Sequence, residues 1–162
     1  MDNQDLPNEI HRVVTTVVIY NSDRKYLVLK RAGFKKVHPN KWTVPGGGLH
    51  QNDYKDTPET YEGGGWYRIL EKTLEREIKE EIGIKIGTPI YFINMAFIRP
   101  DRIPVLVLNY YAPYISGEVI LDEENVEYKW ASLEECKKLD LITGIYEEIE
   151  EVDKILSTMD HN

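Results

Sequence analysis

The sequence predicts a mixed α/β domain in which about six strands surround one central helix. Three observations carry that prediction. Residues 11–20, HRVVTTVVIY, are rich in β-branched side chains and read as a buried strand. Residues 66–82 place Trp66, Leu70, Leu74, Ile78 and Ile82 four apart, with Gly83 supplying a stop, which reads as a helix. Strand-like runs lie on both sides of that helix, so sheet and helix belong to one unit. A chain of 162 residues is long enough to bury a single substantial core.

The remaining elements follow in order. Residues 1–10 form a polar, loose arm, residues 11–156 a single domain and residues 157–162 a short tail. The turn Asn21-Ser22-Asp23 leads to a second strand at 25–31, so the first two strands suggest a hairpin. A short strand at 42–44 stops at Pro45 and the glycines Gly46, Gly47 and Gly48. Residues 49–65 are polar and turn-rich, too long for a routine connection, and read as a functional loop or a local excursion. Beyond the helix, strand-like stretches at 84–98 and 102–115 carry Pro89 and Pro104 as breaks or edge positions. A strand at 128–131 precedes Ser132, a good N-cap for a helix to residue 139, and Thr143 caps a last acidic helix to residue 156.

Composition excludes several classes. The net charge of −8, from 28 acidic and 20 basic residues, repels polyanions, so extended nucleic acid is not an expected partner. No apolar run approaches the roughly 20 residues that span a bilayer, and the N-terminus lacks the pattern of a secretory signal, so the expectation is a cytoplasmic protein without membrane contact. The single cysteine, Cys136, fits a reducing compartment and reads as a small helix residue. The four histidines show no zinc-like spacing.

The chemistry concentrates in residues 76–84, REIKEEIGI. At about 100° per residue, Glu77, Glu80 and Glu81 fall within an arc of roughly 100° beside the apolar row. Three carboxylates on one face more often form a solvated acidic surface than a cation site. Hard oxygen ligands, if they do gather a cation, select Mg²⁺, Mn²⁺ or Ca²⁺ over zinc. The glycine run directly after a strand shifts the balance, because glycines let backbone groups approach a ligand closely.

The segments KWTVPGGGL and REIKEEIGI together resemble the Nudix hydrolases. That family's signature runs Gly, five residues, Glu, seven residues, then Arg-Glu-apolar-x-Glu-Glu-x-Gly-apolar. Its second half matches at Arg76, Glu77, Ile78, Glu80, Glu81, Gly83 and Ile84. The resemblance implies an α/β/α sandwich with a mixed, partly barrel-like sheet. It also implies hydrolysis of a phosphoanhydride bond in a nucleoside diphosphate linked to another moiety. Nucleoside triphosphates, oxidised ones included, lead the candidate substrates; nucleotide sugars and dinucleotides follow, and a non-catalytic nucleotide sensor is the alternative of another class.

The same resemblance implies Mg²⁺, with Mn²⁺ as a substitute, held by Glu77, Glu80, Glu81 and the Gly47 carbonyl, with Glu124 added from a later loop and Glu127 as second choice for that place. Glu77 is a ligand or the base, and Arg76 braces the carboxylates. Lys30 and Arg31 are candidate phosphate contacts, and Tyr54 and Trp66 candidate stacking partners for a base, although strand-end solvation and loop packing account for these four equally well. The implied partner is a small nucleotide-type molecule, bound by a monomer or homodimer. One departure stands out: 28 residues (48–75) separate Gly47 from Arg76 where the family spacing leaves 13, an insertion of about 15. Counting back eight residues from Arg76 puts the missing signature glutamate on Arg68, so Glu62, Glu59 or no residue at all takes its place.

Overall fold

In the computed structural model, which describes residues 6–160, strand β1 (Arg12–Tyr20) organises the sheet. It runs parallel to β7 (Pro104–Ser116) along its whole length, from Arg12↔Val105 to Tyr20↔Pro113. Strand β2 (Tyr26–Arg31) meets β1 only at Tyr20↔Tyr26 and then diverges to pair with β3 (Trp42–Thr43) and β8 (Asn125–Ala131). The gap is taken by β4 (Gly46–Gly48), the glycine run itself, antiparallel to β1 through Thr15↔Gly47 and Thr16↔Gly46. Strands β5 (Lys85–Ile86) and β6 (Ile90–Ile98) complete an eight-stranded mixed sheet on the β7 side. The sheet is open.

Alternation along the strands sends side chains to two faces and creates two cores. Val17 and Ile19 of β1, Leu27 and Leu29 of β2 and Tyr110 of β7 pack with Leu74 and Ile78 of helix α2 (Ile69–Glu81) and with Ile82 at its C-cap. Val18, Tyr26, Val28 and Tyr111 face the other way, onto α3 (Leu133–Cys136) and Ile145, Ile149 and Val152 of α4 (Ile145–Met159). The result is the expected α/β/α sandwich.

Boundaries moved where local backbone decided. Helix α2 begins at Ile69 and not at Trp66, because Arg68 is held at φ 59°, a left-handed conformation that interrupts the helical path. Pro89 lies in the break between β5 and β6, and Pro104 is the first residue of β7. Ser132 caps α3 as expected, accepting from the Glu135 N–H, but α3 ends at Cys136. Gly144, at φ 96°, stands at the N-cap of α4 in place of Thr143, and α4 continues past residue 156 to Met159. A short helix, α1 (Leu6–Glu9), occupies the end of the N-terminal arm; residues 1–5 and 161–162 of the expected arm and tail lie outside the described residues. No helix among the described residues is long and apolar enough to cross a membrane.

Candidate active site

Helix α2 carries the carboxylates to the glycine strand. Its apolar row is pinned to the sheet, so the adjacent arc holding Glu77 and Glu81 lies against β4. The Gly46 N–H donates to Glu81 Oε2 at 3.0 Å. A Cβ on Gly47 would stand 2.2 Å from the Glu77 carboxyl, closer than real atoms approach, and one on Gly46 (φ 150°) would strike the Thr15 carbonyl at 2.2 Å. Only glycine permits both contacts.

Burial divides the three glutamates. Glu80 remains 60% exposed, whereas the Glu77 side chain is only 12% exposed. Burial pushes the Glu77 carboxyl above its ordinary value; the Arg76 guanidinium pulls the other way, and the neighbouring Glu80 charge adds to the rise. Glu81 is pushed up to about 8, first by burial, with the Gly46 N–H opposing and the Glu77 and Asp122 charges adding. Buried, mutually repelling carboxylates of this kind are relieved by a cation among them. Among the described residues no group of three His, Cys, Asp or Glu side chains is already drawn together as a ligand set. The donor chemistry nevertheless fits a hard divalent ion: oxygen ligands beside a strand whose glycines leave the backbone open.

Arg76 braces the cluster. Its Nη1 is 2.9 Å from Glu77 Oε1 and 3.1 Å from Glu80 Oε2, and its Nη2 donates to the Gly48 carbonyl at 3.0 Å. Its Nε donates to Asp53 Oδ1 at 2.5 Å. Asp53 also accepts from the His50 N–H and lies 2.9 Å from the Thr73 hydroxyl, and its side chain is only 1% exposed. Burial alone would raise the Asp53 carboxyl, but the hydrogen bonds from Arg76, His50 and Thr73 outweigh it and hold the group down at about 2.

Asp53 therefore stands where the signature glutamate is missing, and the expectation of Glu62 or Glu59 is corrected. Both of those residues lie exposed on the insertion. Asp53 is six positions after Gly47, the family's own spacing on that side, so counting forward from the glycine finds it. Counting back from Arg76 ran through the insertion, and Arg68 is an exposed residue at the helix start.

A cavity of about 460 Å³ opens beside this cluster, with the glycine strand, Glu81, Arg12, Arg31 and Arg99 in its wall. Arg31, one of the two basic residues singled out at the end of β2, is part of this wall. Its Nε and Nη2 donate to the Val37 carbonyl, and burial lowers its pKa against the opposing pull of Glu124 and Glu81. Arg12, Arg99 and His38 join it in the wall, none of them singled out by sequence pattern.

Lys30, Tyr54 and Trp66 are not among the cavity's lining residues. Lys30 lies over the Trp42 ring and 4.0 Å from Glu127. Tyr54 packs on Trp66 with ring centroids 5.1 Å apart, and the Trp66 indole donates to the Thr57 carbonyl, so these aromatics tie the insertion to itself. Glu124 pairs with Lys35 at 2.6 Å. Its neighbours Asp122, in the loop, and Asn125, at the start of β8, lie close to Glu81: the Asp122 N–H donates to the Glu81 carbonyl, and the Asn125 side-chain amide donates to Asp122 Oδ1 at 3.0 Å. Cys136 is fully buried and its thiol is pushed up to about 11 by burial, in keeping with a packing residue.

The sequence pattern of the NUDIX domain family matches residues 10–151. This chain belongs to the Nudix family. With the signature helix in place against its glycine strand, it is a pyrophosphohydrolase of the Nudix type, a class whose enzymes generally use divalent metal ions. Among similar proteins, the nucleoside triphosphatase NudI of Klebsiella pneumoniae is 26% identical over 140 residues, covering 80% of this chain and 88% of the relative. A MutT Nudix hydrolase from Burkholderia pseudomallei superposes with a TM-score of 0.70 at 22% identity, over 88% of this chain and 98% of that one. The Nudix domain of Shewanella oneidensis NrtR, solved with ADP ribose, gives a TM-score of 0.70 at 17% identity, over 96% and 99% of the two chains. At these identities the two structures speak for the fold alone.

Proposed function

We propose that this Nudix protein hydrolyses a phosphoanhydride bond in a nucleoside diphosphate linked to another moiety, with nucleoside triphosphates, oxidised ones included, as the first substrate class. The observation that carries the reading is the placement of Glu77 and Glu81 against the glycine strand, in a site that shares its wall with three arginines. The likeness to a protein named as a nucleoside triphosphatase, over most of both chains, supports the choice of substrate class.

Glu77, Glu80 and Glu81, with the Gly47 carbonyl, are the residues that would hold Mg²⁺, or Mn²⁺ in its place. Bound there, the ion neutralises charge on the non-bridging phosphate oxygens. We assign Glu77 the role of accepting the proton of the attacking water, a reading supported by its burial and by the pairing with Arg76 that keeps it oriented. The water oxygen forms the new bond to phosphorus, and the phosphate on the far side leaves with the bonding electrons. Arg12, Arg31 and Arg99 bind the phosphate chain, and Glu124 acts from the outer rim, where it sits beside Lys35 and Arg31. The net charge of −8 supports a small anionic substrate over an extended nucleic acid. We place the protein in the cytoplasm as a monomer or homodimer, the unpaired buried Cys136 supporting a reducing compartment.

The experiment is phosphate or pyrophosphate release from a panel of nucleotides, dinucleotides and nucleotide sugars, with Mg²⁺ and with EDTA. Metal-dependent turnover of triphosphates is the expected result. Turnover confined to nucleotide sugars or dinucleotides would move the substrate class, and binding without turnover across the panel would overturn catalysis in favour of a sensor.

A further inference from the structure

The cavity contains a second polar feature, away from helix α2. Thr16 of β1 and Asn109 of β7 are register partners, and the Thr16 hydroxyl donates to Asn109 Oδ1 at 2.5 Å. Asn109 Nδ2 in turn donates to Glu148 Oε1 of α4 at 3.2 Å. The chain ends there: Glu148 Oε2 has no hydrogen-bond partner among the described residues, although Glu148 is only 8% exposed. Thr16 and Glu148 both line the cavity, whose wall nearby is apolar, with Val14, Met95, Phe97 and Val107 among its residues. A carboxyl oxygen left open in a place water barely reaches is anomalous for a residue kept only for packing. An apolar or amide side chain would serve α4 better at that position.

We propose that Glu148 is the base-reading acceptor of this cavity, taking an N–H hydrogen bond from the exocyclic amino group of an adenine-, cytosine- or guanine-type base. This rests on the reading of the cavity as a nucleotide site. The ring's faces are served by the apolar wall, while the polar edge is met by an oxygen. The Thr16 hydroxyl is committed to Asn109 and one Asn109 Nδ2 hydrogen to Glu148, so a uracil- or thymine-type base, which carries the O4 carbonyl where cytosine carries its amino group, sets oxygen against oxygen at that position and has only its N3–H left to donate. Asn109 and Thr16 fix the carboxyl's orientation and are positioning residues.

The test uses binding and turnover side by side at pH 8, above the value of about 7 to which burial raises this carboxyl, so that it is mostly ionised. Calorimetry with AMP, CMP, GMP and UMP in EDTA should show at least one amino-bearing nucleotide bound about tenfold or more tightly than UMP. Glu148→Gln presents a donor as well as an acceptor. It should weaken the preferred nucleotide about tenfold, improve UMP, and move kcat/KM on the triphosphates chiefly through KM. Glu148→Asp, which keeps the charge but withdraws the oxygen, should weaken the preferred base without improving UMP. Equal weakening of all four nucleotides by Glu148→Gln, or no base preference in the wild type, overturns the proposal. Turnover with uniform Glu148→Gln effects would leave the hydrolase reading standing alone, and base-selective binding with no turnover of any nucleotide would sink that reading and leave the role of Glu148.

Discussion

Arg76 donates through Nε to a carboxylate 23 positions earlier, that of Asp53, and this pairing bridges the insertion that interrupts the family signature. Asp53 is sealed by the His50 N–H and the Thr73 hydroxyl, so it holds the guanidinium at a fixed height above Gly48 while Glu77 and Glu80 take its other edge. The Asp53 hydrogen bond is the main reason the Arg76 pKa rises, with burial opposing and Glu77 assisting. Replacing Asp53 by Asn removes the charge and one strong acceptor from a nearly dry site. The expected loss is about 1–3 kcal/mol of stability. Activity should fall at least about tenfold, because the carboxylates lose their brace. Glu62→Gln and Glu59→Gln, on the exposed insertion, should change neither quantity. Thermal melts and steady-state kinetics on the three variants check this, and equal loss in Glu62→Gln would return the signature role to the insertion.

Gly47→Ala tests the meeting of strand and helix directly. Its Cβ would stand 2.2 Å from the Glu77 carboxyl, so Glu77 has to move. Overpacking costs about 1–3 kcal/mol, which a domain of this size survives. The expected outcome is a folded protein whose metal-dependent turnover drops by about 10² or more. A folded variant with wild-type kcat would show that Glu77 need not stay where the glycine holds it.

Glu80 and Glu81 separate metal binding from folding. Glu80 is exposed, so Glu80→Gln should leave the melting temperature in EDTA unchanged while lowering kcat by orders of magnitude. Glu81→Gln should abolish most of the Mg²⁺-induced rise in melting temperature, since Glu81 is the carboxylate tied to the glycine strand. Activity that survives Glu80→Gln contradicts its assignment as a ligand.

What was legible in the sequence followed from short-range pattern. The four-residue row from Leu70 to Ile82 set the helix and, with it, the face carrying Glu77, Glu80 and Glu81. Asp53 was legible too, but only by counting from Gly47, because the insertion displaces the other reference point. For Tyr54 and Trp66 the sequence left base stacking and loop packing level, since composition does not reveal that the two rings pack on each other. Asn109 and Glu148 could not have been found: they lie 39 residues apart, on a strand and a helix, and only the parallel register of β1 with β7 brings Thr16 to them.

The pH dependence of stability should carry a contribution from Glu148. Its carboxyl is raised to about 7, first by burial, with Asn109 opposing and the Glu147 charge adding. A carboxyl with a folded pKa above its unfolded value near 4.5 favours the folded state while protonated, so its contribution is full below about pH 4.5 and lost as pH rises through 7. The fall in melting temperature between pH 5 and pH 8 should therefore be smaller in Glu148→Gln than in the wild type. Glu77 and Glu81 titrate in both proteins and cancel in that difference. An identical pH profile for the two would mean that the carboxyl is not held in its raised state.

The insertion offers the last prediction. Between Asp53 and Arg76 lie 22 residues, 54–75, against the seven of the family spacing. Excising 54–68 removes 15 residues and joins Asp53 to Ile69, the first residue of α2, which restores that spacing. The removed segment is packed on itself: Tyr54 on Trp66, Tyr61 on Tyr67, the Thr60 N–H on the Gly65 carbonyl. Its loss should leave the Arg76 brace and the glycine strand intact. The shortened protein is expected to fold and to keep metal-dependent turnover, with any change concentrated in which substrate is preferred. Circular dichroism and the substrate panel measure both. An unfolded product would show that the segment holds α2 in place, and an equal loss on every substrate would assign it to scaffolding of the carboxylates.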